Sequence, residues 1–106
     1  MADFMKILQQ AQEMQGRFQK IQEELQQLTI TGSAGGGMVV ADVSGTGQLK
    51  KIRLDPSVVN PADIEMLEDL VTVAVSDAQT KAQAAAQEQM GKLTGGLNLP
   101  FKLPFG

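Results

Sequence analysis

Apolar residues recur every three or four positions from Phe4 to Leu28: Phe4, Leu8, Ala11, Met14, Phe18, Ile21, Leu25 and Leu28. That spacing marks one face of a helix. Gln, Lys and Glu fill the intervening positions, and none of them breaks a helix. Gly16 is the one weak point, at about 1 kcal/mol relative to Ala. About 25 helical residues span roughly 37 Å. A three-stranded sheet cannot cover that length, so part of the stripe is expected to project and find a partner. The period then changes to two. Leu28 and Ile30 alternate with Thr29 and Thr31. Val39, Ala41 and Val43 share one face, with Asp42 and Ser44 on the other. Ile52 and Leu54 alternate with Lys51 and Arg53. Lys50 is in phase with the apolar pair, so the strand is expected to begin or bulge there. The connections, Gly32-Ser33-Ala34-Gly35-Gly36-Gly37 and Ser44-Gly45-Thr46-Gly47, are too short for a crossover, which predicts an antiparallel meander.

Asp55-Pro56-Ser57 ends the last strand pattern. Asn60-Pro61-Ala62-Asp63 then reads as a helix start, with Asn60 the cap, Pro61 at the first helical position and Asp63 at the positive end. Ile64, Leu67, Leu70, Val71 and Ala74 form the apolar face of this helix. Ala78, Ala82 and Ala85 continue it with small residues, which allow close approach of another helix or simply favour helix formation. The β-branched residues between Val71 and Val75 mark a point where the helix is expected to break. From Gly91 the chain reads GKLTGGLNLPFKLPFG. Its glycines and two Leu-Pro-Phe units are expected to end the helix. They leave a flexible tail over residues 96–106 that is dispensable for folding, or one whose Phe101 and Phe105 dock on a partner chain. The fold class is α+β: a long N-terminal helix, a three-stranded antiparallel meander and C-terminal helices. Leu25, Leu28, Ile52, Leu67 and Leu70 are expected to be buried in the protomer or at an interface.

Composition narrows the function. At 106 residues the chain makes one domain, over residues 1–95, with too small a core to dispense readily with association. It has no Cys and no His, which removes the thiol nucleophile, the zinc ribbon and the commonest general base. The start, MADFMKILQQAQ, turns polar too soon for a signal peptide, and no run approaches the roughly 18 apolar residues of a membrane span. A soluble cytosolic protein is expected, with no membrane partner.

Each candidate for chemistry has a plainer explanation. Gly35-Gly36-Gly37 precedes a strand, whereas a phosphate-binding loop needs a helix N-terminus after it. Of Glu65, Glu68 and Asp69, only Glu65 and Asp69 share a helical face, and without a His or a third convergent ligand they read as a solvated face. Ser33, Ser44, Ser57 and Ser76 have no evident base nearby. No enzyme, cofactor, metal or small-molecule substrate is expected. Lys50, Lys51 and Arg53 form the one tight basic cluster, either an edge-strand device against aggregation or a phosphate contact. Lys6, Arg17 and Lys20 lie broadly along one side of the first helix, where Glu13–Arg17 and Lys20–Glu24 also make i,i+4 pairs. The net charge of −3 means that a nucleic-acid site must concentrate these cations locally.

Taken in order, QAQEMQ, QKIQEEL, Thr31-Gly32 with the glycine loop, KKIRLDPSVV, EMLEDLV and SDA resemble the YbaB/EbfC family of bacterial nucleoid-associated proteins. The resemblance runs from about Met5 to about Met90 and includes the Leu-Pro-Phe tail. It implies a tweezer-like homodimer with protruding helices. It also implies a nucleoid location and duplex DNA binding with little sequence preference, altering DNA conformation, nucleoid organisation and gene expression. Lys6, Arg17 and Lys20 match basic positions of the family's first helix, Lys50 and Lys51 a basic pair of its third strand, and Lys81 a basic position of its last helix. The chain departs from the family at Gln79, Thr80, Gln87 and Gln89, in a helix that is often more basic in relatives. A prefoldin-like chaperone or scaffolding dimer is the alternative, since helices flanking β structure suit that plan too.

Overall fold

A computed structural model describes residues 2–94. The first helix, α1 (Ala2–Gln27), is followed by strands β1 (Thr29–Ala34), β2 (Val39–Ser44) and β3 (Leu49–Leu54). A single turn of 3₁₀-helix (Pro56–Val58) leads to the second helix, α2 (Ile64–Thr94). The strands form one antiparallel sheet in the order β1-β2-β3. The molecule measures 72 × 27 × 16 Å with a radius of gyration of 19.8 Å, far above the roughly 13 Å of a compact chain of this length. The excess length is α1: every described residue from 3 to 20 is exposed.

The meander matches the alternation in the sequence, and its details follow from local chemistry. β1 runs further than the pattern suggests, because Gly32, Ser33 and Ala34 pair with Ala41, Val40 and Val39 rather than joining the loop. The turn itself is made by Gly35, Gly36 and Gly37, with φ of +62°, +67° and +93°, a run that residues with a Cβ rarely adopt. At Lys50 the register slips. Asp42 faces Lys51 and Val43 faces Leu49, which leaves Lys50 as the extra residue of a bulge. Ser44 corrects the expected strand faces, since it is 2% exposed. Its hydroxyl turns into the β2–β3 connection, where it accepts from the amides of Thr46 (3.3 Å) and Gln48 (3.1 Å) and bonds Thr46 Oγ1 at 2.6 Å.

α2 differs from its expected start, middle and end. Asn60 caps a turn, accepting from Ala62 N–H at 3.0 Å, and the helix N-cap is Asp63, whose carboxylate accepts from Met66 N–H at 3.1 Å. The expected break between Val71 and Val75 does not occur, and the C-terminal helices are one helix of 31 residues. Half-buried Val71 and Val75 flank buried Ala74 against the sheet, so packing outweighs their modest helix penalty. Gly91 does not end the helix either, which continues to Thr94.

The core is small. Val39, Ala41 and Val43 on β2 meet Ala74 and Ala78 on α2, all fully buried, with Ala82 and Val58 beside them. The alanine stripe therefore serves close approach to the sheet. At Gly32 a Cβ would sit 2.6 Å from Ala78 Cα and 2.7 Å from Ala74 O, so only glycine fits beneath the helix. α2 covers β1 and β2. The apolar row of β3 lies on the same face, with Leu49 opposite Val43, Ile52 opposite Ala41 and Leu54 opposite Val39. Leu49 and Leu54 nevertheless stay 45% and 41% exposed. Of the residues expected in the core, Leu25 is buried, Ile52, Leu67 and Leu70 are half-buried, and Leu28 lies past the helix end and is exposed.

Candidate nucleic-acid interface

The cations singled out in the sequence are divided by the fold according to what they already bind. Lys50 Nζ reaches across the sheet to donate to Leu28 O (3.0 Å) and Thr29 Oγ1 (3.3 Å). It thereby ties the bulge to the base of α1. Arg53 forms an ion pair with Asp42 at 3.0 Å, on a carboxylate oxygen that also accepts from Thr31 Oγ1 at 2.9 Å. Lys81 pairs with Asp77 at 3.1 Å. Asp77 in turn accepts from Ser33 N–H at 3.0 Å, on the open edge of β1. That backbone hydrogen bond, followed by the Lys81 contact, holds the Asp77 carboxyl below its usual pKa. Lys50, Arg53 and Lys81 are thus structural groups first.

Lys6, Arg17, Lys20 and Lys51 are exposed and make no hydrogen bond or ion pair among the described residues. The Glu13–Arg17 and Lys20–Glu24 pairs expected along α1 do not close. At about 100° per residue, Lys6, Arg17 and Lys20 fall within roughly 60° of one another. Phe4, Leu8 and Ala11 lie on the far side of the helix. Glu13 and Glu24 share the cation row and oppose its field.

α1 and α2 run antiparallel where they meet. Leu25 shares a cleft with Gln79, Gln83 and Ala86, and further along Arg17, Lys20, Ile21 and Glu24 line an open groove with Gln89 and Lys92. This groove encloses about 290 Å³ and draws cations from both helices. Lys92 is a candidate that the sequence alone does not single out. Gly91 reads as a helix end, yet one glycine costs only about 1 kcal/mol in a helix, and the extra turn carries Lys92 to the groove.

A larger groove, of about 400 Å³, has the opposite character. Asp63, Glu65 and Asp69 rim it around Ala34, Met66, Leu70 and Val73, and its charge repels phosphate. Among the described residues no cluster of three His, Cys, Asp or Glu is placed to hold a metal ion, and no helix is long and apolar enough to cross a membrane.

The fold defines an elongated α+β protein with a projecting helix, along which Lys6, Arg17 and Lys20 have no internal partner among the described residues. The chain belongs to the YbaB/EbfC DNA-binding family, whose sequence model matches residues 1–97. It is 60% identical over 103 residues to a nucleoid-associated protein of Gemmatimonas aurantiaca, covering 97% of this chain and 99% of that one. It is 52% identical over 101 residues to a nucleoid-associated protein of Xylella fastidiosa, covering 93% and 92%. The crystal structure of the Helicobacter pylori protein HP0035 has the same fold, with a TM-score of 0.65 at 22% identity over 89% of this chain and 95% of that one. The prefoldin-like alternative is not favoured by these relationships.

Proposed function

We propose that the protein is a nucleoid-associated protein of the bacterial cytoplasm that binds duplex DNA, with little sequence preference, along the cation row and groove of α1. Membership of a DNA-binding family supports the partner. The observation that carries the site is the convergence of Arg17, Lys20 and Lys92 on one groove, with no internal partner for any of them among the described residues. Lys6 extends the row toward the helix tip. Lys51 adds exposed charge on the sheet, while Lys50, Arg53 and Lys81 contribute background potential. Such contacts are electrostatic and carry no base information. The exposed phenylalanines Phe4 and Phe18 face away from the cations, which favours duplex over a stacked single strand. No residue is assigned a catalytic role.

The protein acts as a homodimer in this reading. α2 covers two of three strands, and the apolar row of β3, exposed at Leu49 and Leu54 and half-buried at Ile52, is the surface suited to a second copy. A dimer doubles the cations available to one duplex and sets two helical arms in fixed relation, which is how it would alter DNA conformation and gene expression. Fluorescence anisotropy with two unrelated duplexes across a salt series tests the site. Binding is expected at low salt and to fall steeply as salt rises. Changing Arg17 and Lys20 to Ala should weaken both duplexes alike and flatten the salt slope by roughly 0.9 for each phosphate left unneutralised. A double variant that binds as tightly as the parent would remove α1 from the interface.

A further inference from the structure

The apolar stripe of α1 is covered for only part of its length. Leu25 is buried and Ile21 half-buried, and both lie beside α2. The same stripe continues through Phe18, Met14, Leu8 and Phe4, which are 45%, 37%, 45% and 64% exposed. Because the helices are antiparallel, α2 reaches its last turn beside Arg17. The uncovered stripe begins there. Residues 95–106 follow α2 at this point, GGLNLPFKLPFG.

We propose that this C-terminal segment continues along α1 of its own protomer and covers its exposed stripe, with Phe101 and Phe105 as its anchors. Reach is ample. From Met14 to Phe4 the helix rises about 15 Å, whereas Leu97 to Phe105 spans up to about 30 Å extended. The composition fits the surface. Gly95-Gly96 directly after a helix suits its termination, so that the chain can go on toward the start of α1 in another conformation. Two prolines keep the rest from continuing as helix and favour an extended chain. The Leu-Pro-Phe repeat presents apolar side chains along that extended strip. Tethering gives the segment an effective concentration in the millimolar range for this face, and the surface best suited to a second copy is β3 instead. Lys6 and Lys20 lie on the side of α1 opposite Phe4 and Leu8, so a segment seated there leaves them open, while Arg17 borders the stripe beside Ile21.

The chain has no cysteine, so a nitroxide on Lys102→Cys reports from one place. Amide signals of residues 3–15 should broaden while those of the sheet do not. The effect should persist when the isotope- and spin-labelled chain is co-refolded with a large excess of unlabelled protein, since the contact is within one chain. Adding Phe101→Ser and Phe105→Ser to the labelled chain should abolish it, with unchanged sheet signals showing that the fold is intact. Three results would overturn the proposal: no broadening on α1, broadening that vanishes on co-refolding and so belongs to a partner's segment, or broadening indifferent to both phenylalanines.

Discussion

Gly32 and Ala78 meet backbone to backbone: a Cβ on Gly32 would stand 2.6 Å from Ala78 Cα. This contact sets the height of α2 over the sheet. It places Asp77, the preceding residue, against the amide of Ser33 at 3.0 Å, and so gives one outward-facing amide of the β1 edge a partner.

Gly32→Ala should therefore be strongly destabilising. The new methyl meets helix backbone, which cannot rotate away, and overpacking of this kind costs roughly 1–3 kcal/mol or more. Gly16 is the contrast. It lies inside exposed α1 with nothing within 4 Å of a built Cβ, so Gly16→Ala should stabilise by up to about 1 kcal/mol. Urea midpoints should move in opposite directions, and equal shifts would refute the packing account.

The Asp77 contact should appear in acid. Its pKa is lowered from the usual 3.8, first by the Ser33 amide and then by Lys81. A depressed carboxylate contributes stability that is complete above its unfolded value and is lost as pH falls through its folded value. The stability gap between the parent and Asp77→Asn should thus be constant near neutrality and close below about pH 4. A gap independent of pH down to strongly acidic solution would show that the charge is irrelevant. Asp55, lowered by the Ser57 amide, should add a similar acid limb in both proteins and cancel in the difference.

Cations with and without internal partners should separate by assay. Lys81→Ala releases Asp77 and should lower the melting midpoint with little change in DNA affinity. Lys92→Ala should do the reverse, alongside the Arg17 and Lys20 changes. Glu13→Gln removes an opposing charge from the same row, and should tighten DNA binding at low salt by several-fold while the two affinities converge as salt rises. Equal weakening of DNA binding in the Lys81 and Lys92 variants would undo this division.

The third strand should govern assembly. Leu54→Lys puts a charge in the exposed apolar row beside Val39 without touching α2. Sedimentation at micromolar concentration should show a dimer for the parent and a species near 11.3 kDa for the variant. A parent that sediments as a monomer would discard the dimer altogether.

Much of this architecture is legible one residue at a time. The phase error at Lys50 announces the bulge, and the run from Gly35 to Gly37 announces a turn of positive φ. The start of α2 is harder to place, because Asn60 and Asp63 are both good caps, and sequence alone does not rank two caps three residues apart. The site is harder still. Lys81 and Lys92 look alike along the chain, and Glu13–Arg17 looks as good a pair as Asp77–Lys81. Only the second pair closes, because the Ser33 amide already holds Asp77 in place.

Short-range periodicity and local backbone chemistry are enough to specify a long first helix, a helical C-terminal region, three strands in a meander, the glycine turn and the irregularity at Lys50, and the composition shows the absence of Cys and His. These depend on neighbours within a few positions, so the chain written out is sufficient to read them. It took the folded molecule to establish which cations are paired among the described residues and which are not, that Gly32 is a packing position rather than loop, and that Lys92 joins Arg17 and Lys20. Those outcomes depend on residues tens of positions apart being brought within a few ångströms, and charge type and spacing along the chain do not encode which pair will meet.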